Sequence, residues 1–258
     1  MNKIYLKILL LLSIFFFFLL IKKNSLIYEG FSCNKLVMII PIRDREDDLK
    51  DILEKIRLIF KYQNIDYKIL IIEQSKNKNF NKGKINNVGF IEATKYFPDY
   101  DNFLFNDVDN YPKYNKIINY KVNVKGFHHL FGNEKWLGGF YITNKYFFKK
   151  VNGYSNKFWG WGGEDKDLQA RVDSLNIPII RSIFYERINQ NVIEDTGYNV
   201  NNKKWKKNID RYKPIYKKNL KNYNKKHYLL TDGVTTTNYK ILNTKIINKN
   251  IVRLLVDI

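Results

Sequence analysis

Two indoles, three glycines and three carboxylates fall within ten residues, Phe158-Trp159-Gly160-Trp161-Gly162-Gly163-Glu164-Asp165-Lys166-Asp167. Glycines free the backbone to adopt positive φ, and an apolar-periodic run with Leu168, Val172 and Leu175 follows. The spacing predicts a helix from Asp165 to Leu175 with Glu164 and Asp165 at its N-cap or in its first turn. Such a stretch can stack Trp161 on the flat apolar face of a sugar ring while Asp165 accepts a proton from a neighbouring hydroxyl. Acidic residues also cap helices, and tryptophans also fill cores. A second acidic pair, Asp107 and Asp109, ends an apolar run. Alternation puts both on one side of an extended chain, where they can face a metal ion bridging two phosphates. The triplet is common in itself, since Asp99-Tyr100-Asp101 and Asp165-Lys166-Asp167 share it; position after a strand is what distinguishes this one. Arg43 and Arg45 can hold a diphosphate or serve as counter-charges to the acidic run Glu46-Asp47-Asp48. His128-His129 is the only histidine pair, and adjacent residues on a strand point apart, which disfavours a shared metal.

These residues need a scaffold, and the apolar pattern supplies one. Leu36 to Pro41 is continuously apolar, as in a strand buried on both faces, and an amphipathic stretch follows from Leu49 to Phe60. Strand, charged turn and helix open a nucleotide-binding βα unit. The pattern repeats with a strand at Tyr67 to Glu73 and a helix at Lys84 to Phe97, introduced by Phe80-Asn81-Lys82-Gly83. A third strand, Asn102 to Asn106, runs into Asp107, and ligands bind at that carboxyl edge in parallel sheets. Trp136 to Thr143 reads as a glycine-interrupted strand, followed by a helix from Lys145 to Val151. Beyond Leu175 the pattern predicts a strand at Ile177 to Ile180. A Lys/Asn-rich reach to about Tyr228 reads as loop or irregular helix, and strands follow at Tyr239 to Leu242 and Ile251 to Val256.

The chain has 258 residues, enough for one large α/β domain. Its net charge of +20 comes from lysines spread with asparagine over the chain, and no nucleic-acid-binding signature accompanies them. A basic surface of this kind favours anionic headgroups or an anionic nucleotide sugar over specific nucleic-acid recognition. One cysteine, Cys33, excludes an internal disulfide framework. Ile4 to Ile21 is almost wholly apolar with lysines on both sides and no small-x-small cleavage site. We read residues 1–23 as an uncleaved, single-pass type II signal anchor, 24–34 as a short stem and 35–258 as the catalytic domain.

Taken in order, Pro41-Ile42-Arg43-Asp44-Arg45, Phe80-Asn81-Lys82-Gly83-Lys84 with Asn87-Val88-Gly89-Phe90, Asp107-Val108-Asp109, Gly138-Gly139, Phe158 to Asp167 and Thr231-Asp232-Gly233 resemble the β-1,4-galactosyltransferases over Leu36 to Ile258. The resemblance implies a GT-A fold, an α/β domain with a mixed central sheet that binds a nucleotide sugar. It implies inverting, Mn²⁺-dependent transfer, with Mg²⁺ as a possible substitute, from a UDP-sugar such as UDP-galactose to a glycan hydroxyl, in an anchored, Golgi-type setting. By position it assigns Pro41, Arg43, Arg45, Phe80, Asn81, Lys82, Asp107, Val108, Trp136, Gly139 and Trp161 to the donor. Trp161, Gly163, Glu164, Asp165 and Lys166 fall to the acceptor, with Asp165 as general base beside Glu164, and Asp109 to the metal. Three departures stand out. No His lies between His129 and His227, so Glu186, Asn189, Glu194 or Asp195 would have to replace the family's later His ligand. Trp136 stands where the family commonly has Tyr, and Lys166 where it has an acidic residue. A catalytically silent, anchored sugar-binding protein of the same fold is the alternative reading.

Overall fold

The computed structural model describes residues 35–187, 191–196, 204–225 and 227–258. The anchor and stem expected over 1–34, and Asn189, lie outside the described residues. No helix among the described residues is long and apolar enough to cross a membrane.

A nine-stranded mixed sheet carries the fold, in the order β10-β11-β2-β1-β3-β6-β5-β7, with β8 beside β5. At its centre β1 (Lys35–Ile42) pairs in parallel with β2 (Asp66–Gln74) and β3 (Asn102–Asn106). From Leu36 to Ile42 β1 is apolar at every position because both its faces are covered. Leu36, Met38, Ile40 and Ile42 pack with Ile52, Ile56 and Ile59 of α1 (Glu46–Tyr62), whereas Val37 and Ile39 pack with Ile85 and Val88 of α2 (Lys82–Tyr96). Helix α2 starts two residues before the predicted Lys84, because the Asn81 side chain caps it by accepting from the Lys84 amide at 2.9 Å.

The sheet turns antiparallel beyond β3, where β6 (Trp136–Asn144) pairs with β3 on one side and with β5 (Phe127–Asn133) on the other. Strand β5 carries the histidine pair and has no clear alternation in sequence. Helix α3 (Lys145–Lys150) follows β6, and α4 (Glu164–Ser174) packs on β6 with Leu168 and Val172 inward.

Several sequence expectations change. The strand expected over Ile177 to Ile180 shortens to β7 (Ile179–Ile180), since Pro178 has no N–H and offers only its carbonyl, which accepts from Phe127 at 2.9 Å. The Lys/Asn-rich reach holds the 17-residue helix α5 (Lys204–Leu220), whose Ile209, Tyr212, Tyr216 and Asn219 recur at helical spacing beneath the lysines. Short strands β8 (Tyr185–Glu186) and β9 (Ile193–Asp195) precede it, and β9 pairs with β4 (Asn110–Pro112). The C-terminal hairpin joins β10 (Lys240–Asn248), longer than expected, to β11 (Ile251–Asp257), which lies parallel to β2.

Candidate active site

The site forms where β1 and β3 end and where α2 and α4 begin. Gly163, at φ +99°, caps α4, and a Cβ there would lie 2.7 Å from the Phe158 ring. That turn sets Glu164 and Asp165 as the first two residues of the helix, where exposed backbone amides favour carboxylates. Lys82 is the first residue of α2, a position the helix dipole disfavours for a cation. Three carboxylates offset this: Lys82 Nζ lies 3.3 Å from Asp107, 3.2 Å from Glu164 and 2.9 Å from Asp165. Burial alone would lower the Lys82 pKa, but the charges of Asp107, Asp165 and Glu164 outweigh it and hold it well above its ordinary value.

Burial pushes the Asp165 carboxyl up to about 8, with Glu164 and Asp107 adding to the rise while Lys82 pulls it down. The Glu164 Oε2 atom is buried with no hydrogen-bond partner, a ready acceptor for a ligand hydroxyl. A recess beside these groups is lined by Lys82, Asp107, Gly138, Gly139, Tyr154 and Asp165. Gly138 is required for this approach, because a Cβ on it would sit 2.6 Å from Asp165 Oδ2. Its carbonyl accepts from His129 Nε2 at 2.8 Å, while Arg181 Nε donates to His129 Nδ1 at 3.1 Å. Both partners fix the neutral Nε2–H tautomer. His129 thus supports the wall of the recess.

Pro41 is the penultimate residue of β1, and just beyond the strand Arg43 lays its guanidinium 5.3 Å from the Phe80 ring centroid while donating to the Lys78 carbonyl. Arg45 bridges Asp48 and Asp109, reaching the latter at 3.1 Å. Burial and the nearby Asp107 raise the Asp109 carboxyl to about 6. Val108 packs into the core, so it meets a ligand only through its backbone. Gly139 takes φ +75° and its carbonyl accepts from the Asp107 amide at 3.1 Å, tying β6 to the acidic pair.

Of the substitute metal ligands, Asp195 is next to the acidic pair by register: it pairs with Asn110, whose amide donates to it, and it bonds Arg187 at 2.8 Å. Glu194 is placed at Lys113, 3.3 Å away, and Glu186 of β8 pairs with Gly132 of β5. No group of three or more His, Cys, Asp or Glu among the described residues forms a ready metal cage.

Toward the mouth, Lys166 Nζ sits 4.7 Å above the Trp136 ring, and Trp161 is 65% exposed. Sequence reasoning missed Tyr141 and Tyr154, whose hydroxyls bond each other behind the recess, and Arg211 of α5, which donates to the Trp161 carbonyl at 3.1 Å. Their isolated positions in sequence carry no motif.

Residues 28–122 match the family model described as the N-terminal region of glycosyl transferase group 7. Residues 119–194 match the model described as the N-terminal domain of galactosyltransferase. β-1,4-Galactosyltransferase 4 of Cricetulus griseus is 33% identical over 229 residues, 82% of this chain and 60% of the relative. The Homo sapiens protein of the same name is 36% identical over 158 residues, 58% of this chain and 45% of the relative. The chain therefore spans 60% or less of the length of these relatives. A solved mutant Drosophila β-1,4-galactosyltransferase 7, in complex with manganese, UDP-Gal and xylobiose, superposes with a TM-score of 0.65 at 21% identity, covering 87% of this chain and 94% of that one. The likeness shows the fold alone, the mixed α/β sheet of the GT-A type.

Proposed function

Because the chain belongs to glycosyl transferase group 7, the β-1,4-galactosyltransferase family, we propose that it is an inverting glycosyltransferase moving a sugar, galactose by the family's pattern, from a UDP-sugar to a glycan hydroxyl. One observation carries this reading. The acidic motif after β3 and the acidic motif opening α4 converge on the single ammonium of Lys82, so the carboxylate proposed to meet the donor and the one proposed to meet the acceptor face one recess.

In the proposed reaction Glu164 and Asp165 receive acceptor hydroxyls, and Asp165 takes the proton from the oxygen that attacks the anomeric carbon. Lys82, Arg43 and Arg45 meet the diphosphate as its negative charge develops. Trp161, on its glycine-flanked loop, covers the sugars and excludes water. The hard oxygen of Asp109 suits Mn²⁺ or Mg²⁺, with Asp107 beside it and Asp195 within the same short ladder. When bound, the ion would neutralise diphosphate charge. The family's Mn²⁺ and UDP-sugar, and the anchored, lumenal setting implied by residues 1–23, are part of the same proposal.

The test is UDP release from a panel of UDP-sugars, with and without Mn²⁺ and monosaccharide acceptors. Turnover of one donor that needs Mn²⁺ and collapses in Asp165→Asn and Asp109→Asn is expected. A folded protein that turns over no donor would instead identify a silent binding protein.

A further inference from the structure

Large apolar side chains exposed to water gather at one edge of the sheet. Helix α1 ends at Tyr62, 55% exposed, just ahead of the start of β2, and α2 ends at exposed Tyr96 just ahead of β3. Helix α3 begins directly after Asn144, which pairs with Asn102 at the start of β3, and it carries Tyr146, 50% exposed. The register thus places all three tyrosines at the edge where β1 starts at Lys35, opposite the edge that holds the site.

Lysines accompany these side chains. Lys116 lies 6.0 Å from the Tyr62 ring centroid and Lys150 5.7 Å from that of Tyr146, and both lysines are exposed. Of the acidic groups at the same edge, Asp66 accepts from the Tyr100 hydroxyl at 2.7 Å and Asp101 pairs with Lys145 at 2.9 Å, while Asp99 is exposed. Tyrosines interleaved with lysine fit the boundary between headgroups and acyl chains of an anionic bilayer. A second copy fits poorly, because a symmetric contact would oppose lysine to lysine.

We propose that this edge docks on an anionic lipid surface, holding the body upright with the site roughly 25 Å away on the far edge, the length of β1 at about 3.3 Å per residue. The proposal rests on the reading of residues 1–23 as an anchor, since the chain enters this edge at Lys35 and a stem over 24–34 reaches no more than about 37 Å even when fully extended.

The test uses the full chain in a Cys33→Ser background, with single cysteines at Tyr62→Cys, Tyr146→Cys and, as a control beyond β2, exposed Asn77→Cys. Each carries an environment-sensitive fluorophore in phosphatidylcholine vesicles with or without phosphatidylserine. Co-flotation with vesicles reports the anchor by itself. Doxyl-lipid quenching reports docking, and it is expected at 62 and 146 with phosphatidylserine but not at 77. Combined Lys116→Glu and Lys150→Glu should weaken it several-fold. A chain that floats with unquenched probes at 62 and 146 overturns the proposal, whereas one that does not float overturns the anchor as well. Equal quenching without phosphatidylserine overturns the anionic assignment. Shielding from aqueous iodide without lipid quenching overturns it in favour of a contact between copies.

Discussion

Burial raises the proton affinity of Asp165 to a pKa of about 8, so as the proposed base it is free to accept a proton only on the alkaline side of neutrality. The kcat/KM profile should rise through about pH 8, and Asp165→Asn should lower kcat by about 10² to 10⁴ while UDP binding, followed by calorimetry, is kept. His129 behaves in the opposite way. Burial lowers it to about 4, so the native state binds fewer protons than the unfolded chain between that pH and the ordinary 6.5. Its contribution is present in full above 6.5 and is lost as pH falls toward 4, a loss of up to about 3 kcal/mol. Denaturant unfolding at pH 4.5 and 7 should show a smaller acid loss in His129→Gln, whose amide still donates to Gly138 but does not titrate.

At the scale of elements, α4 is held to the C-terminal segment through a fully buried guanidinium. Arg171 bonds Asp167 at 2.8 Å within its own helix, and Asp232 at 3.3 Å across to the Thr231-Asp232-Gly233 turn. Asp167 also accepts from Asn219 and Tyr223, which draws the end of α5 into the same knot. Arg171→Met leaves buried Asp167 without its cation and Asp232 with only Lys157 at 3.4 Å, and should cost about 3 to 5 kcal/mol in urea unfolding. Strand β6 and helix α4 meet so closely at Gly138 that Gly138→Ala should displace Asp165 and lower kcat at least tenfold, with unfolding little changed if the shift is confined to the recess. Helix α5 reaches the tryptophan loop by Arg211 to the Trp161 carbonyl. Arg211→Ala should raise the acceptor KM with kcat nearly kept, and the surface position limits the stability change to about 0.5 kcal/mol.

For the molecule as a whole, the two apolar layers on either face of the sheet hold the fold without contribution from the carboxylates of Asp107 and Asp109. Chelation should therefore abolish turnover while leaving the urea midpoint unmoved in the absence of donor. Both layers share the same strands, so the edges are left to function: one gathers the charged recess and the other gathers exposed tyrosines and lysines.

The sequence by itself determined what local periodicity can specify. The β1 run, the α1 and α2 faces, the acidic pair at the end of β3 and the glycine-flanked start of α4 were all legible, because apolar spacing and backbone freedom act over a few residues. Strand β5 was not legible, nor was helix α5 beneath its lysines, because their burial comes from partners far along the chain. The roles of the candidate residues divide in the same way. Sequence named Lys82, Asp107, Glu164 and Asp165 separately, but only tertiary structure brought the three carboxylates onto one ammonium. It alone put His129 behind Gly138 and Lys166 over Trp136. The physical reason is range: dihedral preference and hydrophobic period act between neighbours, whereas charge, close approach and desolvation act between whichever residues the sheet brings together.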